Sequence, residues 1–305
     1  MTNQQVPFVQ PRQAEQPQAQ PSQPIDERLQ KLVDKAFYAG GSESAQSFRN
    51  FLNGTWLEDP LHAAITDVPL GSWTAAMIFD LLDSVRHRRD LATAADASIT
   101  VGLAGALAAA LAGLADWSDV DPPARRDGMF HGLLNIGATS LFAASMIFRS
   151  KRKRNQGRLF AVLGYSVALI AARLGGKMVY THRVGVDRTS GQSFPEEFVE
   201  VMAEAALEND KPTRADYNGV PILLVRRGER IFALAETCSH FSGPLSEGKL
   251  VGDSIVCPWH QSRFDLADGH VINGPAVHPQ PCLETQIRDG KVEVRKARKG
   301  PLPLD

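Results

Sequence analysis

Two short stretches near the C-terminus place sulfur and nitrogen donors at ligand spacing. They are Cys238-Ser239-His240 and Cys257-Pro258-Trp259-His260, with 16 residues between His240 and Cys257. A C-x-H pair and a C-x-x-H pair each fit one tight loop, so each loop offers one thiolate and one imidazole. Such a set suits a [2Fe–2S] centre in which Cys238 and Cys257 bind one iron and His240 and His260 bind the other. Neutral imidazoles reduce the negative charge of the centre and ease its reduction. Potentials of about −150 to +300 mV follow, against about −400 mV for plant-type all-cysteine centres. Tetrahedral zinc also accepts two Cys and two His, but its finger motifs run Cys-Cys then His-His and present a helix. Of three cysteines in the chain, only Cys282 lies outside these stretches, which leaves no internal disulfide framework.

The elements around the two loops read as β structure. Residues 220–225 and 230–235 are strand-like runs joined at Arg227-Gly228, and Asp268-Gly269 and Asp289-Gly290 are hairpin signals flanked by alternating residues. Neighbouring pieces then carry a resemblance. Thr237-Cys238-Ser239-His240, Gly243-Pro244-Leu245, Cys257-Pro258-Trp259-His260, Arg263-Phe264-Asp265, Gly274-Pro275-Ala276 and Asp289-Gly290-Lys291-Val292 make residues 207–297 similar to the Rieske ferredoxin-like domain. That domain occurs in ring-hydroxylating dioxygenase components and in nitrite reductase small subunits. The resemblance implies three small sheets, both cluster loops at one tip with the histidine-bound iron nearer solvent, and Gly274-Pro275-Ala276 covering the cluster. Two departures stand out. Gln261 replaces the glycine usual after the second histidine, and the cysteine pair of the cytochrome bc type is missing, which points to the ferredoxin-like branch.

The preceding half has another character. Residues 1–25 are rich in Gln and Pro and are expected to be a disordered tail. Residues 26–57 are read as a short amphipathic helical segment, with Leu29, Leu32, Val33 and Phe37 at helical spacing before Gly40-Gly41. Residues 58–185 hold four apolar segments, near 61–82, 97–115, 129–148 and 159–180. A bilayer span needs about 20 apolar residues. The second and third segments meet that standard cleanly; the first and fourth do so only with polar residues inside the span. Gly102, Gly105, Ala106, Ala109 and Gly113 suit close helix packing in lipid. A soluble Ala-rich bundle would spread its charges along the helices, whereas here they gather between the runs. Residues 56–186 also resemble a bacterial four-helix membrane domain of unknown function, through Leu61-His62-Ala63, Asp67-Val68-Pro69-Leu70-Gly71, Gly175-Gly176 and Val179-Tyr180-Thr181-His182.

The expected fold is therefore multidomain: a four-helix transmembrane bundle followed, at 205–298, by an all-β Rieske-type domain of small antiparallel sheets. Arg86, Arg88 and Arg89 lie in the first connection, and Arg149, Lys151, Arg152, Lys153, Arg154 and Arg158 in the third. The positive-inside rule puts those connections in the cytoplasm and both termini outside. The absence of a signal-peptide pattern at the N-terminus pulls against that orientation. Asp80 and Asp83 are expected to pair with Arg86, Arg88 or Arg89. At the opposite membrane face, His62, Asp116 with Trp117, His131 and His182 gather at helix ends, where they could ligate a b-type haem, line a quinone site or simply bond helix ends.

The 33 basic and 34 acidic residues nearly cancel, which gives no reason to expect a nucleic-acid partner. The expected function is a membrane-anchored one-electron carrier with one [2Fe–2S] cluster per chain. Its partner would be a quinone, a haem protein, a reductase or an oxygenase. A complete oxygenase would need a further domain for mononuclear iron on two histidines and a carboxylate. The remaining alternative is a non-redox membrane sensor whose cluster reports oxidant or iron status.

Overall fold

The structure, a computed structural model, describes residues 43–120 and 122–297 together with Leu29 and Val33. The expected disordered tail at 1–25 lies outside the described residues, and so does most of the amphipathic stretch before residue 43. Five helices are described rather than four: α1 (Glu43–Asn53), α2 (Leu61–Arg86), α3 (Arg89–Ser118), α4 (Pro122–Ser150) and α5 (Arg154–Tyr180). The four long ones match the four apolar segments, and α1 lies within the amphipathic segment expected at 26–57. Three stretches, Arg89–Ser118, Ala124–Ser150 and Arg154–Tyr180, are long and apolar enough to cross a membrane. Helix α2 has the length, and it continues through Pro69, but Asp67, Asp80 and Asp83 interrupt its apolar surface.

The long helices form two hairpins, α2 on α3 and α4 on α5. Small residues permit the first: a Cβ at Gly102 would stand 2.3 Å from Trp73 Nε1, and one at Gly105 2.8 Å from Val68 Cγ1. The hairpins meet where Trp73 stacks on Phe142 at 4.1 Å and where the Thr74 and Tyr165 hydroxyls share a 2.8 Å hydrogen bond. At the end nearest the basic connections, Asp80 and Asp83 take partners other than those expected. Arg149 Nη1 bonds Asp80 Oδ1 at 2.9 Å and Asp96 Oδ1 at 2.8 Å, while Arg154 and Arg158 hold Asp83. The reason is depth: Asp80 and Asp83 face inward, and a buried carboxylate needs a cation that reaches it across the bundle. Arg86, Arg88 and Arg89 remain exposed.

The β domain begins earlier than residue 205, because β1 (Val199–Ala203) pairs antiparallel with the last strand, β10 (Lys291–Lys296). The described residues form two antiparallel sheets, not three. One has six strands in the order β1-β10-β9-β4-β3-β2, with β2 Thr213–Tyr217, β3 Val220–Arg227, β4 Arg230–Ala235 and β9 Cys282–Arg288. The other has four, β5 Lys249–Leu250, β6 Ser254–Val256, β7 Arg263–Asp265 and β8 Val271–Asn273. Pairing of Ala233 and Leu234 with Leu283 and Cys282 fuses what would otherwise be two smaller sheets into one. The hairpins expected at Arg227-Gly228, Asp268-Gly269 and Asp289-Gly290 all form. Leu223, Val225, Leu234, Leu245, Ile255 and Phe264 pack into one core, which reaches Cys238 and Cys257.

Helix α1 joins the two halves. Arg49 reaches Asp119, after α3, in a buried 2.6 Å ion pair. Its neighbour Asn50 takes the backbone N–H of Gly274 at 3.0 Å and donates to Ile272 O at 3.1 Å. One turn of helix thus ties the bundle to the loop after β8.

Candidate metal centre

Each expected donor pair sits on a loop closed by its own backbone. Cys238 N–H donates to Gly243 O and Ser242 N–H to Cys238 O, at 2.9 and 3.0 Å. In the second loop, Cys257 N–H donates to Ser262 O and Gln261 N–H to Cys257 O, at 2.8 and 3.2 Å. Both loops therefore turn back on themselves within two residues of the histidine, and both do so through a residue of positive φ, Ser242 at 67° and Gln261 at 63°. A left-handed conformation is the one that glycine adopts without steric cost. This explains why a glycine is usual at position 261.

The structure brings all four donors together. The Cys238 and Cys257 thiols are within hydrogen-bonding reach of each other, and the His240 and His260 rings are 5.0 Å apart, edge to face. Gly243 lies against them: a Cβ there would stand 2.8 Å from Cys257 Sγ. Backbone N–H groups of His240 and Phe241 point at Cys238 sulfur, and those of Trp259 and His260 at Cys257 sulfur. The Cys238 thiol donates to Cys257, which, with burial, holds Cys238 well above the usual thiol range and brings Cys257 down to about 7. Burial, followed by the charges of His260, Arg49 and Arg188, keeps the His240 imidazole well below its usual range, in the neutral form that can ligate. His240 Nδ1 is buried and has no hydrogen-bond partner. An orphaned imidazole nitrogen beside two paired thiols and a second imidazole is a donor set that fits a two-iron cluster.

Supporting residues were not legible as such in the sequence. Gln280, almost fully buried, accepts from Ser239 N–H at 2.8 Å and donates to Ala235 O and Thr237 O at 2.9 Å each. Ser262 Oγ accepts from Ala276 N–H at 2.9 Å and so pins the Gly274-Pro275-Ala276 loop to the second donor loop. A buried Gln at a position reading as loop gives no periodic signal. Cys282 is not part of the site; burial first, and then Asp268 and Asp265, push its thiol up to about 12.

The tip differs from the expected solvent-facing arrangement. On the His240 side a narrow cavity of about 40 Å³ separates the tip from the bundle and is lined by Pro60, Asp116, Gly185, His240, Phe241 and Pro275. Arg188 closes one flank with its guanidinium 5.2 Å above the Phe241 ring and its backbone N–H donating to Ser239 O. His278 Nε2 lies 3.2 Å from Gly185 O across the same junction. Pro258, Trp259 and Gln261 are the exposed side.

The membrane histidines gather at one end as expected, but only two face each other. His62 and His131 have ring centroids 6.2 Å apart, whereas His182 is engaged by Asp127 at 2.8 Å, beside Lys177.

Comparison with known proteins agrees with this division. Residues 197–285 match the model of the Rieske [2Fe-2S] domain, and residues 58–188 that of a predicted membrane protein family, DUF2231. Ferredoxin CarAc of Metapseudomonas resinovorans is 34% identical over 79 residues, which are 26% of this chain and 74% of that protein. The anthranilate 1,2-dioxygenase ferredoxin subunit of Burkholderia cepacia is 34% identical over 85 residues, 28% of this chain and 79% of that protein. The cytochrome bc1 complex Rieske iron-sulfur subunit of Streptomyces lividans is 44% identical over 62 residues, 20% of this chain and 36% of that protein.

Proposed function

Since the chain belongs to the Rieske [2Fe–2S] family, whose domain binds one such cluster, we propose that it is a membrane-anchored one-electron carrier. Cys238 and Cys257 hold one iron and His240 and His260 the other. When bound, the cluster supplies reversible one-electron chemistry at a potential set by its ligands, its hydrogen bonds and its exposure to water. The chain's own part is to hold four donors in register, aim four N–H groups at the two sulfurs and set the His240 side against the bundle. The observation that carries this reading is the buried, unpartnered His240 Nδ1 within a converged set of two thiols and two imidazoles.

All four long helices cross the bilayer. Asp80 and Asp83 of α2 support this, because both are paired inside the bundle rather than left to lipid. The relatives named as ferredoxin components of dioxygenase systems suggest a reductase or oxygenase as partner on the exposed Trp259 side. The test is electron paramagnetic resonance of the full chain in detergent, reduced with dithionite. The low-average-g signal of a histidine-ligated [2Fe–2S] centre is expected, and it should be lost in Cys257→Ser. An iron-replete sample without that signal would overturn the reading.

A further inference from the structure

His62, on α2, and His131, on α4, come from different hairpins and meet across the seam at the end of the bundle nearest the β domain. Each ring is fixed by the neighbouring helix of its own hairpin. His62 Nδ1 lies 2.8 Å from Ala109 O and His131 Nδ1 2.8 Å from Ala171 O. A carbonyl oxygen can only accept, so both Nδ1 atoms carry the proton and both Nε2 atoms carry a lone pair. Asn135 Nδ2 donates to His131 Nε2 at 3.0 Å, as that tautomer requires, and has a second acceptor in His131 O at 3.0 Å. Each imidazole also sits against a glycine of the partner helix. A Cβ at Gly113 would stand 2.8 Å from His62 Nδ1, and one at Gly175 3.1 Å from His131 Cε1.

Both Nε2 lone pairs face an apolar bundle; the one on His131 accepts from Asn135, so a ligand there must displace that amide, which keeps His131 O as an acceptor. A quinone headgroup presents carbonyl oxygens, which need donors, and the N–H of each ring is already spent on a helix carbonyl. A bare metal ion would need about four protein ligands. Among the described residues no third His, Cys, Asp or Glu donor comes close enough to share a single ion with the pair. A centre with two protein ligands must bring its remaining donors with it, as an iron porphyrin does. Two iron–nitrogen bonds of about 2.0 Å, each extended to the middle of its ring, put the centroids of two axial imidazoles roughly 6 Å apart. The observed separation is 6.2 Å, with the ring planes at 88°.

We propose that His62 and His131 are the axial ligands of a b-type haem held between the two hairpins. Nδ1–H bonds to Ala109 O and Ala171 O orient the rings and raise their basicity as outer-sphere partners do. Binding of the haem does not depend on the cluster assignment. The two centres would nonetheless be neighbours, since Pro60, just before α2, lines the cavity that His240 also lines.

The test uses the full chain in detergent, assayed by pyridine haemochrome as purified and again after titration with haemin. One equivalent of non-covalent haem per chain is expected, with the split α and β bands of a six-coordinate low-spin ferrous species after dithionite. His62→Ala and His131→Ala should each lose the low-spin spectrum, whereas His182→Ala, whose ring is held by Asp127, should keep it. The cluster's paramagnetic signal reports folding independently in every variant. A well-folded wild-type chain that takes up no haemin, or a His62→Ala/His131→Ala double variant with an unchanged low-spin spectrum, overturns the proposal. Loss of the cluster signal alone would instead count against the carrier reading.

Discussion

At the scale of single residues, the two proposed donor loops show how a metal site would constrain backbone as well as ligands. Gln261 holds a left-handed conformation that costs an ordinary residue about 1–2 kcal/mol, part of which glycine recovers and part of which it loses to a freer unfolded chain. Gln261→Gly is therefore expected to stabilise the β domain by up to about 1 kcal/mol, read as a higher denaturant midpoint for bleaching of the cluster, with the resonance signal unchanged. Gln280 works in the opposite direction. Replacing it by Leu leaves Ser239 N–H, Ala235 O and Thr237 O without this partner in a dry site, and unsatisfied buried groups cost about 1–3 kcal/mol each. Gln280→Leu should lower stability by about 3 kcal/mol or more and reduce cluster content; a denaturation curve that superimposes on the wild type would refute that role.

At the scale of elements, helix α1 is the least conspicuous and the most consequential. It is three turns long, yet it presents Arg49 to the bundle and Asn50 to the loop beside the cluster. Breaking a buried ion pair by removing one charge costs about 3–5 kcal/mol, because the other charge stays buried. Asp119→Asn is thus expected to loosen the seat of the β domain while leaving both halves folded. Hydrogen exchange should show it as faster exchange of the Gly274 and Ala276 amides, with strands β3 and β4 still protected. The long helices follow the same physics. Asp80 and Asp83 are stable within α2 because Arg149, Arg154 and Arg158 reach them from α4 and α5, so the ion pairs also hold one hairpin to the other.

For the whole molecule, the arrangement sets the donor loops against the end of the bundle that lies away from the basic connections. Arg86, Arg88 and Arg89 and the run from Lys151 to Arg154 occupy one end; His62, His131, Asp127 and the β domain occupy the other. If the basic connections face the cytoplasm, as the positive-inside rule requires, the β domain faces the opposite side. Protease added to sealed right-side-out vesicles should then remove the β domain, and protease added to inverted vesicles should leave it intact. The reverse pattern would show that the tail and the cluster domain stay in the cytoplasm despite the charge rule.

The sequence by itself determined the proposed donor set, three hairpins of the β domain and the four apolar segments. Ligand spacing, turn residues and runs of hydrophobic residues are local properties that do not need the rest of the chain. Cys238, His240, Cys257 and His260 were legible for that reason, and so was the departure at Gln261. Tertiary structure alone decided what depends on residues far apart in sequence. It merged the strands into two sheets through the Ala233–Leu283 pairing, gave Asp80 to Arg149 instead of Arg86, and recruited Gln280 and Arg49. It also turned the His240 side of the tip toward the bundle rather than toward water, and it separated His62 and His131, which meet, from His182, which does not join them. Partners of buried polar groups are chosen by depth and reach, and neither is written in the order of the residues.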